Sequence, residues 1–123
     1  MRTGLVTGVA GFTATHLVRR LRQEADVRIV GFDIVGQSAC PSRDALDAYF
    51  QVDLSDSDQV ARVIKESRPD YVFHLAGIAD GDPVSIYRAN LLNTVVLLEA
   101  LLQTVPNARV LLIGSAAEYG HAQ

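Results

Sequence analysis

The chain has 123 residues, 49% of them hydrophobic, with a formal net charge of -3. That is enough for one domain with its own core, and its scattered charges offer neither a nucleic-acid-binding nor a polybasic membrane surface. One cysteine, Cys40, excludes an intrachain disulfide and fits a reducing, cytoplasmic setting.

The first predicted strand is Gly4 to Thr7, short and apolar as a strand covered on both faces should be. The N-terminus runs directly into it, so no signal peptide is expected. Thr7-Gly8-Val9-Ala10-Gly11-Phe12-Thr13-Ala14 follows and opens a helical pattern over about Thr13 to Glu24. Strand, glycine turn and helix together make a phosphate cradle. Gly8 permits the tight turn, Gly11 lets the backbone approach a pyrophosphate, and small Ala14 lets helix pack on strand. The first helical N–H groups then face the anion. The spacing is G-x-x-G-x-x-A, so an ordinary glycine-rich turn is the competing reading.

Val27 to Phe32 reads as the second strand, ending at Asp33, which lies 22 residues after Gly11. An acid there accepts hydrogen bonds from the adenosine ribose hydroxyls and repels a 2'-phosphate, favouring NAD over NADP. Alternatively Asp33 simply starts a turn. Ile34 to Leu46 is expected to be a surface connection without chemistry. Tyr49 to Val52 is the third strand. Asp53-Leu54 ends it, with Asp53 either meeting the adenine amino group or capping a turn. Ser55, Asp56, Ser57 and Asp58 offer N-caps for a helix through Val60, Val63 and Ile64.

Tyr71 to Leu75 is the fourth strand, running into Ala76-Gly77, small residues that suit a crevice at a strand's carboxyl end. A helix from about Ser85 to Thr104 carries Leu91, Val95, Leu98, Leu102 and Val105 on one stripe. Leu92, Val96, Leu97 and Leu101 widen that stripe, so cover on more than one side is expected. Polar residues interrupt Leu91 to Val105, which reads as too short and too polar to span a bilayer. Arg109 to Ile113 is the fifth strand, followed by Gly114-Ser115. Strands alternating with helices predict a doubly wound parallel α/β sheet of order 3-2-1-4-5, with a ligand between strands 1 and 4. His16, His74 and His121 show no metal-ligand spacing with Cys40, and His74 reads as a satisfied core histidine.

With these segments placed, the sequence resembles the extended short-chain dehydrogenase/reductase family, the NAD-dependent sugar-nucleotide epimerases and dehydratases. The motifs that carry the resemblance are Thr7-Gly8-x-x-Gly11-Phe12, Asp33, Asp53-Leu54, Arg68-Pro69-Asp70 through Gly77, Tyr87-Arg88-Ala89-Asn90, Leu97-Leu98-Glu99-Ala100 and Gly114 through Gly120. The last is most similar to the GDP-mannose 4,6-dehydratase and GDP-4-keto-6-deoxymannose reductase branch. The resemblance implies a Rossmann-type fold and NAD as cofactor. The cofactor set it implies is Gly8, Gly11, Phe12, Thr13, Asp33, Ile34, Asp53, Leu54, Leu75, Ala76 and Gly77. It also implies a nucleotide-sugar substrate for the full-length enzyme and dimerisation through the helix over 85–105.

The family chemistry moves a hydride from a sugar carbon to NAD while a tyrosine takes the hydroxyl proton. A phenol with a pKa of about 10 does this only when nearby positive charge favours phenolate, and a lysine four residues on supplies it. Ser115 matches the hydroxyl residue that bonds the same oxygen; otherwise it is part of a Gly-Ser turn. The tyrosine-lysine pair is absent. Tyr49, Tyr71, Tyr87 and Tyr119 are followed four residues on by Asp53, Leu75, Leu91 and Gln123, and Lys65 is the sole lysine. The chain is therefore expected to be the cofactor-binding part of such an enzyme, inactive by itself. A non-catalytic NAD-binding or sensing module is the alternative, and a ligand-free structural remnant a third.

Overall fold

The computed structural model describes residues 1–77 and 81–113. Five parallel strands run in the order β3-β2-β1-β4-β5. They are β1 Arg2–Thr7, β2 Val27–Asp33, β3 Ala48–Gln51, β4 Tyr71–His74 and β5 Arg109–Leu112. The order is the one the sequence predicts, and it places the reversal of winding between β1 and β4.

Side chains alternate across the sheet as the pleat requires. Leu5, Val30, Phe32 and Val72 enter a core closed by α2 (Ser57–Ser67) and by the helix that follows β4. Val6 and Ile29 enter a second core, closed by Ala14 and Val18 of α1 (Phe12–Leu21). Asp56 is the cap chosen from the four candidates before α2. Its carboxylate accepts the Gln59 N–H, a bond whose loss costs about 1 kcal/mol.

Three expectations need correction. α1 stops at Leu21, short of Glu24, where the Gln23 and Glu24 N–H groups close tighter turns onto the Arg20 and Leu21 carbonyls; the Arg22 guanidinium there donates to the carbonyls of Val27 and Ala45 and to Asp47. The connection after Asp33 is not merely surface. It forms two short 3-10 turns, Gln37–Ala39 and Arg43–Ala45, and buries Cys40 and Ser42. The reason is space beside β2. Gly31 has no Cβ, and one built there would lie 2.8 Å from Val9 and 2.9 Å from Leu46. Val9, Leu46 and Cys40 close in over that backbone.

The third correction concerns α3, which runs from Pro83 to Thr104. At 22 residues it is long and apolar enough, by length and composition alone, to cross a bilayer. The Leu91 to Val105 stretch understated it because Asp82 caps the helix further upstream, accepting the Ser85 N–H. The helix nevertheless packs as a core helix, with Leu97, Ala100 and Leu101 buried against α2 and the sheet. Leu91, Leu92, Val95 and Leu102 face outward, exposed among the described residues. The stripe that looked primary is thus largely the outer one. Within α3, Arg88–Leu92 is a π-helical turn, a wider turn that shifts helical phase and is frequent at functional sites.

Candidate functional site

A cleft of about 330 Å³ opens at the carboxyl ends of β1, β2, β3 and β4. Gly8, Gly11, Asp33, Ile34, Asp53, Leu54, Leu75, Ala76 and Gly77 line it, which are nine of the residues singled out in the sequence. Phe12 and Thr13 do not. They form the first turn of α1 on its exposed side, where the Phe12 ring meets His16 edge-on at 4.7 Å. Ser115 lies outside the described residues.

The glycine turn is built as its chemistry demands. Gly8 has φ +65, a left-handed conformation that favours glycine. A Cβ at Gly8 would lie 2.8 Å from the Ala76 backbone, so this turn touches the end of β4 directly. Gly11 is the N-cap of α1, in extended backbone, and no side chain caps the helix. No acid occupies the first turn either. The positive end of the helix is therefore open to an anion.

Asp33 performs the turn role that competed with ribose binding. One oxygen accepts the Ala10 N–H at 2.9 Å, and the other accepts those of Ile34 and Val35. The carboxylate thereby ties the glycine turn to the end of β2 while remaining on the cleft wall. Asp53 also makes a turn. Its Oδ1 accepts both the N–H and the hydroxyl of Ser55, and these bonds lower its pKa.

On the β4 side a buried polar chain holds the wall. The Thr7 Oγ1 accepts the N–H groups of Leu75 and Ala76, at 3.0 and 3.1 Å. With both lone pairs taken, its hydroxyl donates to Nδ1 of His74, 2.7 Å away. His74 then donates from Nε2 to Thr94, whose hydroxyl donates to the Asn90 carbonyl. This arrangement requires the neutral ring, and burial lowers the His74 pKa in the same sense. His74 is the satisfied core histidine that its place on a buried strand suggested.

Four cleft residues were missed from the sequence: Phe32, Val52, Ala89 and Asn93. Phe32 and Val52 immediately precede the two acids and follow from strand alternation. Ala89 and Asn93 are one turn apart on α3. Stepping back four residues from buried Leu101 and Leu97 reaches Asn93, a relation that only the packing of α3 reveals. Tyr49, Tyr71 and Tyr87 do not line the cleft. Burial, followed by the nearby Asp33 charge, pushes the Tyr49 pKa up to about 12, which excludes it as a base near neutral pH.

The family model described as NAD dependent epimerase/dehydratase matches residues 4–123. The chain belongs to that family. It is 26% identical over 120 residues to GDP-6-deoxy-D-talose 4-dehydrogenase of Aggregatibacter actinomycetemcomitans, covering 94% of this chain and 36% of that protein. It is 35% identical over 107 residues to dTDP-glucose 4,6-dehydratase of Neisseria gonorrhoeae, covering 78% of this chain and 31% of that protein. Among solved structures, UDP-glucose 4-epimerase from Brucella ovis in complex with NAD superposes with a TM-score of 0.85 at 27% identity. That match covers 100% of this chain and 38% of the epimerase. The family member described here thus spans about a third of the length of these relatives.

The cleft's own geometry suits an anion beside apolar surface. A side chain at Gly8 would run into its floor, and the α1 terminus above it is uncapped. Apolar Phe32, Val52, Leu54 and Leu75 offer walls for flat rings.

Proposed function

We propose that this chain is the NAD-binding portion of a sugar-nucleotide epimerase, dehydratase or reductase that works by hydride transfer at a sugar carbon. The observation that carries the reading is the cleft at the β1/β4 switch point, lined by Gly11 at the uncapped α1 terminus and by the Asp33 carboxylate. Gly8 and Gly11 bring the backbone to the pyrophosphate, with the first α1 N–H groups, including those of Phe12 and Thr13, donating to it. Asp33 receives the adenosine ribose hydroxyls beside Ile34, and Asp53-Leu54 borders the adenine. When bound, NAD supplies the hydride acceptor. Ser115 then positions the reacting sugar oxygen, and the GDP-sugar branch is the one its surrounding motif favours.

No Tyr-x-x-x-Lys pair stands in these 123 residues, so the chain alone binds without turnover. That same observation favours a second reading, a non-catalytic NAD-binding or sensing module. The outward leucines of α3 pair with a second copy, and the setting is cytoplasmic.

Calorimetric titration tests the core of this. NAD should bind more tightly than NADP, and Asp33→Ala should narrow that difference at least tenfold. Equal affinity for the two, or no binding to a folded chain, would refute the reading. Light scattering at tens of micromolar should find a dimer; a monomer would remove the pairing of α3.

A further inference from the structure

We infer that Asn93 is a base-reading residue of the cleft, pairing with the edge of the adenine ring. The inference rests on the NAD reading above and extends it to a residue no motif marks.

Among the described residues, three ionisable or amide side chains line the cleft: Asp33, Asp53 and Asn93. The first two are engaged. Both Asp33 oxygens accept backbone N–H groups, and Oδ1 of Asp53 takes two bonds from Ser55. Asn93 differs. Among the described residues its carboxamide makes no hydrogen bond, although the residue is partly buried. Its neighbours hold it in place. Thr94 is bonded to His74, and Leu97, one turn on, is fully buried. The helix therefore cannot rotate to release Asn93 from the wall.

The wall it shares is apolar and suited to a flat ring, with Phe32, Val52 and Leu54 toward β2 and β3 and Ala89 beside it on α3. A carboxamide offers one acceptor and two donors side by side. Adenine presents the matching pair on its N7 edge, the exocyclic N6–H donor next to the N7 acceptor, whereas hypoxanthine presents two acceptors there, O6 and N7. A carboxylate only accepts, so Asp53 can answer only the amino group. Phosphates need donors, which the α1 terminus supplies. The free amide is thus matched to the base.

The test compares NAD with nicotinamide hypoxanthine dinucleotide, in which a carbonyl replaces the adenine amino group. Affinities are measured by calorimetry for the 123-residue chain and for Asn93→Leu and Asn93→Asp, with thermal melts confirming that each variant is folded. The native chain should prefer NAD about tenfold, as expected for one lost hydrogen bond and one unmatched polar group. Asn93→Leu should shrink that preference severalfold, to what Asp53 alone supplies. Asn93→Asp, which keeps the acceptor and repels the carbonyl, should widen it. A preference indifferent to residue 93, or none in the native chain, overturns the assignment while leaving NAD binding intact. Failure of a folded native chain to bind either dinucleotide removes the NAD reading, and the assignment with it.

Discussion

The two halves of the cleft are held in opposite ways. On the β1/β2 side the wall is one contiguous turn and one acid, Asp33, which bonds backbone only one, two and 23 residues away. On the β4 side the wall is small, Leu75-Ala76-Gly77, and it is held by groups distant in sequence. Thr7 reaches Leu75 and Ala76 across 68 and 69 residues. The first half is built by local backbone chemistry and the second by tertiary contacts. They meet where Gly8 touches Ala76.

The most damaging change strikes that meeting point. Gly8→Ala forces a side chain into a left-handed backbone and against the Ala76 main chain. It should cost on the order of 3 kcal/mol in urea denaturation and collapse both halves together. Next is the distant half alone. His74→Leu leaves the Thr7 and Thr94 hydroxyls without their ring partner and should cost about 2 kcal/mol. It should also change the pH dependence. Burial holds the His74 pKa below its ordinary 6.5, so the unfolded chain takes up this proton first as pH falls. The native protein is then destabilised progressively below that value, and the variant should lose this slope.

A smaller effect on stability is expected from Gly11→Ala. Gly11 is in extended backbone, and its built Cβ meets only the Gly8 carbonyl, at 3.2 Å. Stability should move by less than about 1 kcal/mol. NAD affinity should nevertheless fall about tenfold, since one hydrogen bond of backbone approach to the pyrophosphate is lost. The contrast with Gly8→Ala separates a glycine needed by the fold from one needed by the ligand. The smallest change is Ser55→Ala. It removes the hydroxyl bond to Asp53 while the backbone N–H bond stays, and should let that carboxyl rise part of the way toward its ordinary 3.8, read by carbon NMR titration, with little effect on melting.

The same contrast explains what the sequence disclosed. The glycine turn and Asp33 could be read because short stretches of chain mark them, and the strand order because alternating strands and helices leave a parallel sheet few ways to wind. Strand alternation and the uninterrupted apolar run of Leu5-Val6 suffice to bury β1 on both faces. Asn93 and Ala89 could not be read that way. Their approach to the cleft depends on which side of α3 faces inward, and α3 is apolar nearly all round. Leu91 and Leu102 resemble core residues as much as Leu97 does, and only packing against α2 separates them. Cys40 was hidden for a related reason. Its burial is set by the space above Gly31, a residue nine positions earlier on another element.

The π turn in α3 has a consequence for chain length. Deleting one residue within Arg88–Leu92 would convert the wide turn to an ordinary one. The preceding segment would keep its facing relative to Leu97, whereas the same deletion in a continuous α-helix would rotate it by about 100°. The buried end of the helix would keep its place, because Thr94, Leu97 and Leu101 lie beyond the turn. A one-residue deletion can therefore be absorbed here without unsettling the core or re-aiming Pro83–Tyr87. In an α-helix, where an indel ordinarily scrambles every downstream contact, this turn acts as an expansion joint.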